Sequence, residues 1–307
     1  MKKTKNTMAD INDMALEALS DHAFVKAQDC FRLNAKQNPC LATYNNLGVF
    51  YIQENMELPD GRVRSAAKLG LKYLKKAEAY SQSQQNLMAI GDVYLSQKEY
   101  ETAENYFRGA CNLGNSYIAF NNLGASLYMQ NKCKESLKYF EKAIDLCDHS
   151  DIKAEICVSY AYAMLEVDKK KCHKIITEII GPNALSFPWQ MFDADEFVLL
   201  YLCDDLQSAS KLCKALFKQN FIESFVLAMI FDCLFKVGKD DEAKECLNLK
   251  IKSLEGYDYD IRKEVNEANK AFASPDFRKI LIAKYSSGTP IIRDCYYCGC
   301  KHHNNPL

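Results

Sequence analysis

Apolar residues along this chain recur at helical spacing, and the spacing itself repeats. Leu227, Ile230, Phe231 and Leu234, followed by Leu247, form one apolar face, and Ile156 to Val167 with Cys172 to Ile180 reads as an amphipathic helix pair. The clearest stretch runs from Tyr44 to Ala143. There Tyr44-Asn45-Asn46-Leu47-Gly48 returns as Phe120-Asn121-Asn122-Leu123-Gly124, with a looser copy from Leu87 to Gly91 between them. Behind each copy stands a small residue, then a bulky one, then alanine: Gly70, Leu74, Ala77; Ala103, Phe107, Ala110; Ser136, Phe140, Ala143. The last two copies are 33 residues apart at every position. A fixed period of that size predicts stacked helical hairpins. Gly91 and Ala103 are small where the two helices of a pair approach closely, and Tyr94, Phe107 and Phe140 are large where they fill the space toward the next pair.

Leu87, Ile90, Gly91, Tyr94, Ala103, Phe107 and Ala110 carry a resemblance to the tetratricopeptide repeat family, whose units are helix-turn-helix pairs of about 34 residues. The resemblance implies an all-α helical-repeat solenoid, right-handed, of about seven helix pairs, with a concave inner face lined by the first helix of each pair. It divides the chain into a degenerate N-terminal helix pair (1–36), well-matched repeats (37–148), degenerate repeats (149–256), C-terminal capping helices (257–286) and a Cys/His-rich tail (287–307).

Several local signals refine these boundaries. Ala27 and Phe31 take the small and aromatic positions of the first pair, and Pro39 falls where a unit closes. Glu54 to Gly61 reads as a turn-rich loop inserted between two helices. Residues 181–193, with Gly181-Pro182 and the lone Trp189, read as a break in the array. The period then recovers, with Ala209 and Ala243 34 residues apart. Tyr257 to Phe272 predicts one more helix. Ser274-Pro275 supplies an N-cap and a first-turn proline for a last one ending near Tyr285.

Composition changes this picture little. The 307 residues are 48% hydrophobic and 26% charged with a net charge of −1, which suffices for a core. Near-neutral charge speaks against a general nucleic-acid or membrane-surface binder. The basic start, Met1 to Lys5, is followed by Asp10 and Asp13 where a signal peptide needs an apolar run, and no stretch approaches the length of a membrane span. Eleven of the fourteen cysteines, Cys30 to Cys246, are scattered without a framework and read as small hydrophobes in a reducing cytoplasm. No phosphate loop, dinucleotide fingerprint or zinc-protease helix is present, and His22, His149 and His173 are isolated, so no enzyme is expected.

Two places remain for function. In the geometry the resemblance implies, the groove-facing positions are Asn45, Asn46 and Val49; Met88, Ala89 and Asp92; Asn121, Asn122 and Ala125, with Ile52, Leu95 and Tyr128 one turn on. An asparagine amide both donates and accepts, so it can pair with a peptide's C=O and N–H together. The expected peptide-binding groove is therefore Asn45, Asn46, Val49, Asp92, Asn121, Asn122 and Tyr128, taking a protein or peptide segment. The other reading of Asn46 and Asn122 is that they cap or cross-link neighbouring helices. The second place is the tail, where Cys295, Cys298, Cys300, His302 and His303 offer ligands for zinc, or thiolates for Cu(I). That leaves a metal-sensing or metal-handling protein as the alternative. A thiol-rich unstructured tail, a redox pair, or a segment that folds back into the groove to compete with a partner are the other readings. No cofactor is required, and nothing in the sequence bears on oligomeric state.

Overall fold

The computed structural model describes residues 7–53, 63–180, 192–217, 222–254, 261–285, 292 and 295–301. Among these the chain forms sixteen α-helices and no strand. The first compact unit contains α1 (Met8–Ser20), α2 (Phe24–Gln37), α3 (Leu41–Gln53), α4 (Val63–Glu78), α5 (Gln84–Ser96), α6 (Tyr100–Leu113), α7 (Tyr117–Tyr128) and α8 (Cys133–Leu146). The second contains α9 (Ser150–Leu165), α10 (Lys169–Ile175, continuing as a π-helical turn, Ile176–Ile180), α11 (Phe192–Leu202), α12 (Leu206–Leu216), α13 (Ser224–Lys236), α14 (Asp240–Leu254), α15 (Arg262–Ala273) and α16 (Pro275–Ile282). The described helices make eight pairs, against the roughly seven expected. The fold is an all-α repeat solenoid. No described helix is long and apolar enough to cross a membrane.

Local chemistry sets the helix ends. Thr7 and Asp10 form a capping box on α1, the side chains of Ser83, Ser116, Asp168 and Asp205 cap α5, α7, α10 and α12, and Ser274 caps α16 with Pro275 in its first turn. Five turns within pairs share one backbone solution. His22, Lys98, Asn131, Asp204 and Gly238 are left-handed, and the next residue's N–H reaches back to close the helix, as in Glu99 to the Tyr94 carbonyl at 2.9 Å and Lys132 to that of Leu127 at 3.0 Å. The inserted loop at 54–61 and the break with Trp189 lie outside the described residues.

The repeated glycines are packing devices. A Cβ on Gly91 would stand 2.6 Å from the Phe107 ring, and one on Gly124 would stand 2.8 Å from Phe140. Each glycine admits an aromatic ring from the second helix of its pair, and both rings are fully buried. All fourteen cysteines are free thiols. Burial pushes Cys157 up to about 11 and Cys246 up to about 12, so they remain protonated within the helical core.

Candidate binding groove

The described C-terminal residues belong with the first unit. Tyr296, Tyr297 and Cys298 are only 3%, 5% and 4% exposed, although residues 295–300 form neither helix nor strand. Buried irregular backbone must find hydrogen-bond partners outside itself. Here the side chains of first helices supply them.

On α7, the Asn122 side chain accepts from the Ile292 N–H at 3.2 Å and donates to the Ile292 carbonyl at 2.9 Å. On α3, Asn46 repeats the arrangement at Cys298, accepting its N–H at 2.7 Å and donating to its carbonyl at 2.9 Å. Asn45 donates to the Tyr296 carbonyl at 2.7 Å, and Asn12 of α1 adds a second bond to the Cys298 carbonyl at 3.2 Å. Each paired amide treats one tail residue as a neighbouring strand would. Ile292 is thus held on α7 and Cys298 on α3.

Helix α5 contributes differently. Met88 and Ala89 stand where α3 and α7 carry asparagines, and both are buried. Instead, Asp92 accepts the Tyr296 hydroxyl at 2.7 Å. The Tyr297 ring stacks on Phe31 of α2, with centroids 5.5 Å apart and planes 9° from parallel. The chain then turns at Gly299, whose φ of +75° is a left-handed conformation open to glycine, and Lys301 pairs with Asp13 of α1 at 2.7 Å. That last pair is exposed and adds little.

The asparagines also cross-link the helices. Asn86 of α5 donates to the Asn45 side chain of α3 at 3.2 Å and Asn46 to Asn12 of α1 at 2.7 Å, while within α7 Asn121 donates to Asn122 at 3.1 Å. These bonds hold the amides in the orientation the tail uses. Of the seven residues singled out from sequence, Asn45, Asn46, Asp92 and Asn122 meet the tail. Asn121 orients Asn122, and Val49 and Tyr128 are buried on α3 and α7. Sequence reasoning missed Asn12, Asp13, Phe31 and Asn86. A signal existed for the first two: Ala15 precedes Ala27 as Gly91 precedes Ala103, which puts Asn12-Asp13 in register with Asn45-Asn46 and Asn121-Asn122. Nothing marked Asn86.

The tail cysteines do not gather as a metal knot. Among the described residues no group of three or more Cys, His, Asp or Glu is placed to hold an ion, and His302 and His303 lie outside them. The Cys298 sulfur instead receives the Asn45 amide at 3.5 Å. Burial and the nearby Cys40 thiol push Cys298 up to about 11, against the opposing hydrogen bond from Asn45. The thiol is therefore protonated near neutral pH. Separately, the second unit holds a cavity of about 220 Å³ lined by Tyr162, Asp195, Phe225 and Tyr285 among others. Its polar groups serve one another: Tyr285 donates to the Tyr162 hydroxyl at 3.0 Å, and Tyr162 to Asp195 at 2.6 Å.

Residues 118–147 match the model of the tetratricopeptide repeat family. Among solved structures, the chain resembles a tetratricopeptide repeat protein from Parabacteroides merdae at 14% identity and a TM-score of 0.59, covering 85% of this chain and 98% of that one. It also resembles the apo form of the quorum sensor NprR from B. thuringiensis at 15% identity and a TM-score of 0.55, covering 80% of this chain and 76% of that one. At such identities the likeness is one of fold. No curated protein sequence matches the chain.

Proposed function

On the premise that the chain is a tetratricopeptide repeat protein, we propose that its first unit is a non-enzymatic scaffold holding an extended protein or peptide segment across α1, α3, α5 and α7. One observation supports this above all. Asn46 and Asn122 each pair with both backbone groups of a single tail residue, a geometry that accepts any extended chain. Apolar burial in the groove adds roughly 25 cal/mol per Å². The test is fluorescence anisotropy of a labelled peptide with the sequence of residues 291–301, titrated with the full chain carrying Tyr296→Glu/Tyr297→Ala, so that its own tail no longer competes through Asp92 and Phe31. Saturable binding, weakened about tenfold or more by Asn46→Ala/Asn122→Ala, is expected. Binding indifferent to both asparagines would remove the groove from the mechanism.

The alternative, zinc or copper handling through the tail, has its own readout. It requires about one metal ion per purified chain, lost in Cys295→Ser/Cys298→Ser. The bonds of Asn46 to both backbone groups of Cys298 favour the groove reading, for which metal content stays well below stoichiometric.

A further inference from the structure

The groove contacts fall into two kinds. Those of Asn12, Asn45, Asn46 and Asn122 reach backbone atoms and carry no information about side chains. The others are selective. Asp92 receives a phenolic hydroxyl, so a ligand lacking that donor at this place forfeits a bond to a buried carboxylate. Phe31 presents a flat ring face to the following residue, which rewards a second aromatic side chain. Besides its backbone bond, Asn45 donates to the buried Cys298 sulfur at 3.5 Å, a contact open to a short thiol or hydroxyl side chain. Gly299 is left-handed, which β-branched and bulky residues resist.

We infer that residues 292–301 are a built-in stand-in for the groove's ligand: a polypeptide segment bearing tyrosine, a second aromatic residue, a small residue and glycine in succession, which enters by displacing the tail. The inference rests on the groove reading above and adds both its specificity and its regulation. The tail is covalently attached, so it competes at an effective concentration on the order of a millimolar. With an intrinsic tail affinity of about 10 µM, only about one chain in a hundred is tail-free, so any free ligand is weakened about a hundredfold. Displacement is also all or none along the segment. Ile292 and Cys298 are gripped by different repeats, and a ligand that replaces the Tyr296 hydroxyl on Asp92 overlaps both stretches.

The experiment keeps the groove intact and alters only the tail of the full chain. In Tyr296→Glu/Tyr297→Ala a carboxylate faces Asp92 and the stack on Phe31 is gone, while every groove residue is unchanged. The probe is the labelled 291–301 peptide, titrated by anisotropy into the wild-type chain and this variant, both checked for helix content by circular dichroism. The expected result is binding at least about tenfold tighter to the variant, and about tenfold weaker again when the probe carries phenylalanine in place of its first tyrosine. Equal, saturable binding to both chains would overturn the guard and leave the groove reading standing. No binding to either folded chain would overturn the groove reading itself. A wild-type chain that dimerises with rising concentration, while the variant stays monomeric, would make the occupant the tail of a second copy and overturn the intramolecular guard. Tyr296→Phe in the full chain supplies a milder opening with the same expected direction should the double variant lose helix content.

Discussion

Asp92 and Asp232 stand at the same place in their repeats, directly after Gly91 and Phe231, and each accepts a tyrosine hydroxyl at 2.7 Å. In the second unit that tyrosine is Tyr201 of α11, the preceding first helix. In the first unit it is Tyr296, from a segment that belongs to no repeat. Asp195 repeats the lesson, since it occupies the register of Asn122 yet receives Tyr162 from α9. At these positions first helices of the second unit bond to one another, whereas Asp92 and Asn122 of the first bond to the added segment. Packing is inverted as well. Phe197 and Phe231 hold the second unit's glycine positions, Cys213 and Leu247 its phenylalanine positions, and all four are buried. The two faces differ because Asp92 and Asn122 meet a segment from outside the repeats, whereas Asp195 and Asp232 meet tyrosines of preceding helices.

The most forceful way to break this comparison is through packing. Phe140→Ala and Phe197→Ala should each cost about 3–5 kcal/mol, since each removes a fully buried ring. Hydrogen exchange should lose protection chiefly in the unit that carries the change. Loss throughout the chain from either substitution would show that the units do not unfold separately.

A smaller effect should distinguish the two tyrosine–aspartate bonds. Tyr201→Phe should lower global stability by about 1–2 kcal/mol, moderated because Lys236 still pairs with Asp232. Tyr296→Phe should instead speed amide exchange at residues 292–301 about tenfold while the denaturant midpoint of the helices stays in place. If both substitutions shift the midpoint equally, the tail is an integral part of the fold and the contrast fails.

The finest distinction is one of sign with pH. Burial pushes Glu104 of the first unit up, but hydrogen bonds from Arg108, Gln130 and Lys132 hold it below the ordinary value of 4.5. A lowered carboxyl contributes stability above its unfolded value and loses it as pH falls through the folded one. Asp195 of the second unit is raised above 3.8 by burial, against the hydrogen bond from Tyr162. Its contribution is complete below 3.8 and is lost as pH rises through the folded value. Denaturation followed across pH should therefore show Glu104→Gln removing an acid loss from the first unit, and Asp195→Asn relieving a loss at higher pH in the second. Responses of the same sign would contradict the assignment.

The sequence by itself determined the helical pairs, because burial at helical spacing and a 33-residue period are local properties of the chain. It pointed to Asn45, Asn46, Asp92 and Asn122 for the same reason, since register relative to a glycine is local too. The repeated turns were less legible, because four of their five left-handed residues are His22, Lys98, Asn131 and Asp204 rather than glycine. What only the tertiary structure decided is the role of the tail. Cys295 to His303 has the composition of a metal site, and no local pattern says that the Cys298 carbonyl meets Asn46 across 252 residues of sequence. An asparagine amide is complementary to backbone, and every segment of the chain has backbone. Which segment fills the groove is therefore settled only when folding brings Asp92 and Phe31 to where a tyrosine and a second ring can satisfy them.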